Sequence, residues 1–328
     1  MDKYIPPFEI TNEMFEISTE IMENLGKLSN VNELEKLPRL RKISRIKSIH
    51  SSLAIENNTL SIEQVTDIID GKKVLGPRED IVAVKNAFEA YKELDSVNPY
   101  NLKDLLKIHG IMMRDLVEEA GNLRSGNVGV FDENGNVVHT APPVQMVNEL
   151  INQLFDWVKN TNIQMLIKSS VFHYEFEFIH PFRDGNGRMG RLWQTALLAS
   201  WKPIFKYIPI ESVIKNNQEE YYNAIAKATI EGKSNAFILF MLDVINKAIK
   251  DIVNDSREHY NHINIQINKL MQVMEAYPQS AQMIMERLGL KSRIAFRKNY
   301  LNPALEAGLI GMTIPNKPTS KSQMYYKI

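Results

Sequence analysis

Apolar residues recur at every third or fourth position along most of this 328-residue chain, with polar residues between them. This spacing places the apolar side chains on one face of an α-helix. Together with local start and stop signals, the pattern predicts ten helices in the first 260 residues. Their ranges are 11–27, 40–56, 61–69, 78–94, 102–117, 143–159, 163–178, 187–201, 217–230 and from 236 to 260 or beyond. We therefore expect an all-α fold.

Two short runs with β propensity interrupt the helices. The first contains Val128, Gly129, Val130 and Phe131, and the second spans residues 137–140. Between them lies Asn134-Gly135, a pair that favours the tight turn of a β-hairpin. The pattern predicts one small hairpin, and by itself it fits an ordinary surface hairpin as well as a functional one.

The pattern changes after Pro278. A helix over 280–288 ends at Gly289, a second helix begins near Ser292 and continues through Leu305, and two strands follow at 309–314 and 322–328. Two helices and a hairpin in that order predict a winged helix-turn-helix. We divide the chain into an N-terminal helical region (1–100), a core (101–250) and a winged helix-turn-helix domain (265–328).

Composition narrows the class of protein. The chain has 39 basic and 39 acidic residues, so its net charge gives no general attraction to nucleic acid or to an anionic membrane. No apolar run approaches the roughly 18 residues of a membrane span, and the N-terminus has no signal-peptide core. The absence of cysteine excludes disulfides and thiol catalysis. We expect a cytoplasmic enzyme without membrane contacts.

Candidate chemistry is concentrated in residues 180–191, which read HPFRDGNGRMGR and connect two predicted helices. His180 is the only group in this run that exchanges a proton near neutral pH, so it is the natural general base. Asp184 offers a hard oxygen ligand of the kind that Mg²⁺ prefers. We therefore predict a phosphate-handling site in the loop.

The glycines and arginines of the run support the same prediction. Gly185 and Gly187 allow backbone conformations in which their N–H groups converge on an anion. The next helix directs its positive N-terminal end towards that point. Arg188 and Arg191 are three residues apart, hence on one helix face, where both can hold phosphate oxygens.

Residues 180–191 match the pattern His-x-Phe-x-Asp/Glu-Gly-Asn-Gly-Arg-x-x-Arg throughout, so the chain resembles the Fic (filamentation induced by cAMP) family. The resemblance implies a Fic-type helical bundle whose catalytic core is 101–250. The hairpin would be a flap, where residues 128–131 align a target protein. The implied activity is transfer of AMP from ATP, with Mg²⁺, to a Ser, Thr or Tyr hydroxyl of a target protein.

The resemblance also implies a role for each residue of the loop. His180 would be catalytic, Asp184 would hold the metal, and Arg191 would bind the γ-phosphate. The remaining candidate nucleotide-binding residues are Arg183, Gly185, Asn186, Gly187, Arg188, Tyr221 and Tyr222. Arg183 occupies a variable position and is expected to point to solvent, and the two tyrosines would line the base unless they belong to the core.

An inhibitory motif is implied upstream, in a helix at about 40–57. Ser52, Glu56 and Asn57 match the family pattern Ser/Thr-x-x-x-Glu-Gly/Asn, in which the glutamate reaches the second arginine, here Arg191, in place of the γ-phosphate. Asn57 replaces the commoner glycine. The alternative for Glu56 is an exposed carboxylate at a helix end.

Several alternatives stay open. The basic residues of the second helix, Lys291, Arg293, Arg297 and Lys298, would suit a nucleotide-sensing transcriptional regulator that binds DNA, whereas we favour docking or oligomer contacts for this domain. The loop 180–191 could also transfer a different phosphorylated group. The spacing of His173, Glu177 and His180 would suit a metal site, but a zinc site does not explain the glycines and arginines. We interpret His173 and His109 as core residues. The resemblance further implies that the protein could modify itself and could form a homodimer.

Overall fold

The computed structural model describes residues 4–30, 38–131, 137–306 and 308–328. The chain divides into two compact units, Met1–Ile252 and Val253–Ile328. This division falls in the polar stretch that separates the two parts of the sequence pattern.

Unit 1 is helical, as the periodicity predicts. Its helices are α1 (Asn12–Asn30), α2 (Pro38–Ile55), α3 (Ile62–Ile69), α4 (Arg78–Lys92), α5 (Leu102–Met112), α6 (Val144–Asn160), α7 (Met165–Ile179), α8 (Asn186–Trp201), α9 (Ile210–Asn216), α10 (Gln218–Glu231) and α11 (Asn235–Val273), which continues into unit 2. Short 3₁₀ turns span Glu93–Asp95 and Pro203–Tyr207. None of the described helices has the length and hydrophobicity that a membrane span requires.

The observed helices differ from the predicted ones in two places. The predicted helix 102–117 ends at Met112, because the chain leaves the helical conformation and Asp115 adopts a positive φ of 62°. The α9 helix was not predicted, since its seven residues are too few to show a helical period.

The core of unit 1 is centred on α7 and α8, which pack along each other. Both helices are buried on nearly all sides, so they lack the polar face of a surface helix. Phe172, Phe176 and Trp193 are fully buried there. The loop 180–185, which carries the predicted chemistry, is therefore held at both ends by the most deeply buried helices of the unit.

Helix α2 packs against α4 and α9 through buried polar contacts. Ser48 of α2 and Tyr91 of α4 each donate a hydrogen bond of 2.7 Å to the buried carboxylate of Glu211 in α9. At the end of α2, Lys215 donates to the Ala54 carbonyl and the amide of Gln218 donates to the Ile55 carbonyl. These side chains satisfy carbonyls that a helix C-terminus leaves without intrahelical partners.

The predicted hairpin is present as strands β1 (Gly129–Phe131) and β2 (Val137–Thr140). The strands are antiparallel, with Gly129 opposite Thr140 and an irregularity in register between Val130 and Phe131. The predicted Asn134-Gly135 turn lies outside the described residues.

Unit 2 contains the predicted helices and hairpin in shorter pieces. They are β3 (Gln279–Ser280), α12 (Ala281–Arg287), α13 (Arg293–Phe296), a π-helical turn (Arg297–Leu301), α14 (Asn302–Glu306), β4 (Ile310–Met312) and β5 (Met324–Lys327). Strand β5 lies between β3 and β4 in an antiparallel sheet. The winged helix-turn-helix assignment stays a prediction.

The core of unit 2 supplies a stability test. Phe296 is fully buried in that core, whereas Ile294, two residues earlier in the same short helix, is 81% exposed. We expect Phe296→Ala to lower the free energy of unfolding of unit 2 by about 3–5 kcal/mol, because it removes buried surface and leaves a cavity. Urea unfolding with amide hydrogen exchange in residues 281–328 measures the loss.

The matched control is Ile294→Ala, for which we expect a change within about 0.5 kcal/mol. Equal losses in the two variants would contradict the described core.

Candidate active site

The loop between α7 and α8 reverses direction through two left-handed residues. His180 ends α7 with φ 50°, and its N–H donates to the Phe176 carbonyl at 3.0 Å. Gly185 precedes α8 with φ 84°, and a Cβ built there would lie 2.6 Å from the sulfur of Met113. Gly185 is therefore required by its conformation and by the close approach of Met113.

A buried asparagine holds the loop in shape. The Asn186 amide accepts the N–H of Phe182 and donates to the Phe182 carbonyl, both at 2.9 Å. Phe182 is fully buried and stacks on the imidazole of His109 with ring centroids 3.6 Å apart. The Asn186 side chain thus shapes the loop.

His109 is a neutral imidazole that hydrogen-bonds the loop backbone. Its Nδ1 accepts the N–H of Gly121 at 2.9 Å, so the proton is on Nε2, which donates to the Asp184 carbonyl at 3.1 Å. Burial lowers the pKa of His109 to about 4. The interpretation of His109 as a core residue is confirmed, since it is 1% exposed.

Arg124 also fixes the loop, and the sequence did not single it out. Its Nε donates to the His180 carbonyl at 2.9 Å and its Nη1 to the Gly126 carbonyl at 2.8 Å. Its own N–H donates to the Pro181 carbonyl, and its Nη2 to the Pro142 carbonyl next to the hairpin. This buried guanidinium thus connects the catalytic loop with the segments on either side of the hairpin.

The first turn of α8 presents donors to an anion. Gly185 caps the helix without a side-chain hydrogen bond, so the first N–H groups keep the positive end of the helix dipole open. Arg188 pairs with Asp184 at 3.2 Å, and its Nε is buried without a hydrogen-bond partner in the described structure. A buried donor of this kind favours an anionic ligand.

Arg191 is the most deeply buried charge of the site, and it contacts Glu56. The Arg191 side chain is 1% exposed, and its Nη2 donates to Glu56 Oε1 at 2.8 Å. Nε donates to the Ser52 hydroxyl oxygen at 3.1 Å, and Nη2 donates to the Ser52 carbonyl at 3.0 Å. Burial alone lowers the pKa of Arg191, but the Glu56 carboxylate reverses this, and the pKa is raised.

The approach of Glu56 depends on two neighbouring residues. A Cβ built at Gly187 would lie 2.4 Å from Glu56 Oε1, so only glycine leaves room for the carboxylate against α8. Asn57 follows α2 with φ 63°, a left-handed conformation that asparagine tolerates better than most residues. The structure thus places two of the three candidate inhibitory residues, Ser52 and Glu56, in contact with Arg191.

Behind the loop, His173 belongs to a buried polar chain. The Tyr221 hydroxyl donates to His173 Nε2 at 3.1 Å, and His173 Nδ1 donates to Gln194 Oε1 at 2.6 Å. Burial lowers the pKa of His173 to about 3, which keeps it neutral. His173 is therefore a core residue, and no cluster of three or more His, Cys, Asp or Glu able to hold a metal ion occurs among the described residues.

The two candidate base-lining tyrosines differ. Tyr221 is 2% exposed with its hydroxyl bound to His173, so it packs in the core, which is the alternative to lining a nucleotide base. Tyr222 is 45% exposed. Partial burial and then the Glu56 carboxylate raise the pKa of Tyr222. Arg183 is exposed, as expected.

The fold and the loop define a helical protein with an anion-binding turn between its two central helices. The model of the Fic/DOC family matches residues 99–198, and that of the Fic-like C-terminal domain matches residues 265–327. A solved Fic family protein from Desulfovibrio desulfuricans G20 is 44% identical, with a TM-score of 0.75 over 99% of this chain and 98% of that one. The chain belongs to the Fic/DOC family.

More distant relatives are also similar. A Fic domain containing signaling protein from Bacteroides thetaiotaomicron shares the fold at 18% identity, with a TM-score of 0.60 over 73% of this chain and 97% of that chain. Among curated proteins, the protein adenylyltransferase Fic of Aedes aegypti is 28% identical over 61% of this chain and 40% of its own. A probable protein adenylyltransferase of Aquifex aeolicus is 28% identical over 65% of this chain and 63% of its own length. The chain thus spans less than two thirds of the length of these two curated relatives.

The neutral state of His109 predicts a pH dependence. Because its pKa falls from 6.5 to about 4 on folding, the unfolded chain takes up a proton between these values while the folded chain does not. Neutral His109 therefore contributes roughly 3 kcal/mol to the free energy of unfolding above pH 6.5. This contribution is lost as the pH falls towards 4.

We expect His109→Gln to reduce the slope of the free energy of unfolding against pH between pH 7 and pH 4, in urea titrations at each pH. The slope will not vanish, because His173 titrates in the same direction. An unchanged slope would show that His109 is not held neutral.

Proposed function

We propose that this protein is a protein adenylyltransferase that moves AMP from ATP to a hydroxyl group of a target protein, and that Glu56 inhibits it. The observation that carries the proposal is the arrangement around α8. Arg188, Arg191, the N-terminal end of α8 and His180 all lie at one loop. Glu56 accepts a hydrogen bond from Arg191, the more deeply buried of the two arginines. Membership of the Fic/DOC family and the names of its curated relatives support the same activity.

The residues present suit Mg·ATP. Arg188 has a buried Nε that lacks an acceptor in the described structure, and a phosphate oxygen would satisfy it. The Asp184 side chain is 58% exposed, and a single accessible carboxylate suits Mg²⁺ when phosphates and water complete its coordination. The metal would neutralise charge on the phosphates while Asp184 holds it. Tyr222 is the exposed aromatic that remains for the base.

His180 would act as the base. Its Nδ1 lies 3.3 Å from the Glu177 carbonyl, and in the tautomer whose Nδ1 proton is donated to this carbonyl, Nε2 would take up the proton. His180 would take the proton of the target hydroxyl while the hydroxyl oxygen bonds to the α-phosphorus. The bond from the α-phosphorus to the bridging oxygen breaks, and pyrophosphate leaves. The loop contacts of Arg124 and Asn186 keep this geometry preorganised.

Inhibition follows from competition for Arg191. The γ-phosphate of ATP would bind this guanidinium, whose Nε and Nη2 already donate to Ser52 and Glu56. A hydrogen bond between charged groups contributes about 1.5–3 kcal/mol, and each 1.4 kcal/mol changes an equilibrium about tenfold. ATP would therefore bind in its productive orientation only when α2 releases Arg191.

The hairpin is the proposed contact for the target segment. Strands β1 and β2 pair only with each other in the described structure, so each has an edge that can add an extended chain. Residues 128–131 would provide that edge. The target protein would be a second protein or another copy of this chain.

The test is label transfer from α-labelled ATP with Mg²⁺, using the wild type, Glu56→Gly, Glu56→Gln and His180→Ala. We expect both Glu56 variants to increase labelling about tenfold or more, because they free Arg191, and we expect His180→Ala to abolish it. Glu63→Gln, which alters a solvent-exposed carboxylate on α3, is the matched control and should label like the wild type.

The other readings give different results. Labelling from γ-labelled ATP alone would indicate transfer of phosphate. No labelling with either donor, together with retention on DNA at physiological salt, would favour a nucleotide-sensing regulator and overturn the proposal.

A further inference from the structure

A second candidate site lies in unit 1, against the first half of α2. Here a cavity of about 300 Å³ is lined on one side by Arg41, Lys42 and Arg45 of α2. None of these residues belongs to the active site. Small-molecule sites in proteins begin at about this size.

The charges of this cavity are not balanced by the protein. Lys42 pairs with Asp70, and the acidic lining residue Asp95 pairs with Lys206 at 2.5 Å. Neither Arg41 nor Arg45 forms an ion pair among the described residues, and the Nε of Arg45 is buried without a hydrogen-bond partner there. An unsatisfied buried guanidinium donor in a cavity calls for an acceptor with negative charge.

The other walls select a ligand with a flat apolar part. Phe88 of α4 and Tyr207 at the end of a 3₁₀ turn contribute aromatic rings, and Ile46 contributes an aliphatic surface. The Arg41 guanidinium lies 5.9 Å from the centre of the Tyr207 ring, so one arginine already stacks on an aromatic face. A ring placed between such groups, with its anion towards the guanidinium donors, would satisfy both parts of the cavity.

We propose that this cavity binds a small organic anion, a ring that carries a phosphate or carboxylate group, and that the bound anion strengthens inhibition by Glu56. The second half of the proposal rests on the proposed function. The first half is a statement about binding and does not require it.

Helix α2 provides the link between the two sites. Arg45 is in α2 and Glu56 directly follows its last residue, roughly 16 Å further along at a rise of 1.5 Å per residue. The remaining walls come from α4 and the two 3₁₀ turns, so a ligand in the cavity fastens α2 to its neighbours in the position where Glu56 contacts Arg191. A ligand stabilises the conformation that it binds best, so this one would favour the inhibited state.

Binding is measured by calorimetry on the full chain with phenyl phosphate, benzoate and inorganic phosphate, and with phenol as the neutral probe. We expect phenyl phosphate or benzoate to bind more tightly than inorganic phosphate, and phenol not to bind. Their relative affinities distinguish a phosphate ligand from a carboxylate ligand. Absence of binding by both ring-bearing anions would overturn the site.

Variants locate the bound probe. Arg41→Gln and Arg45→Gln should each weaken binding about tenfold or more, since each removes a charged donor. Arg78→Gln, a change of an exposed arginine at the start of α4, is the matched control and should leave binding unchanged. Arg45→Lys keeps the charge and serves if the glutamine variant does not fold.

The active site could bind the same probes, so Arg188→Gln is included. Binding that survives Arg188→Gln and is lost in Arg45→Gln supports the cavity. Binding that is lost in Arg188→Gln and survives Arg45→Gln places the probe in the active site and overturns the proposal.

Coupling is tested by label transfer with the tighter-binding probe at saturation. We expect labelling by the wild type to fall severalfold and labelling by Glu56→Gly to be unchanged although that variant still binds the probe. Unchanged wild-type labelling with normal binding would overturn the coupling. If no variant transfers label at all, the proposed function fails, and the calorimetric result still decides the site.

Discussion

The buried guanidinium of Arg191 is the constraint on which much of the site depends. A charge removed from water must find oxygen acceptors within the protein, because an unpaired one is very costly. Ser52 of α2 and Glu56, which directly follows the last residue of α2, provide these acceptors. Helix α2 must therefore lie against α8, and Gly187 must lack a side chain so that the Glu56 carboxylate can reach its partner. The hydrogen bonds from α9 and α10 to the C-terminal end of α2 hold α2 in this position.

The loop itself is held mainly by groups that add no net charge where an anion would bind. Asn186 bonds the backbone of Phe182, and neutral His109 supports the backbone at Asp184. Arg124 is charged, but its guanidinium donors are bound to backbone carbonyls, so it acts as a rigid connector. In contrast, Arg188 retains a buried donor that lacks a partner in the described structure. The loop thus separates residues that shape it from residues that remain available to a ligand.

Helix α2 joins two places at which positive charge requires an anion. At its end, an internal carboxylate supplies that anion to Arg191. Near its beginning, Arg41 and Arg45 face a cavity with no described carboxylate paired to them. The same physical requirement is thus met from within the protein at one end and left for a ligand at the other. Because a helix is stiff over this length and α2 packs on α4 and α9, a ligand that fixes one end of α2 would also fix the position of the other end.

Most of the helices and the candidate chemistry of residues 180–191 could be predicted from the sequence, because both are encoded locally. Helical periodicity reports which face is buried, and residues 180–191 carry their chemistry within twelve consecutive positions. The roles of Arg124 and His109 and the burial of Tyr221 could be seen only in the folded chain, because the partners of Arg124 and His109 are 56 and 75 residues away. The tertiary structure also decided the cavity, which gathers side chains from separate elements. Hydrogen bonds and cavities between distant segments leave no periodic trace in the chain, since they depend on how helices pack and not on how each one forms.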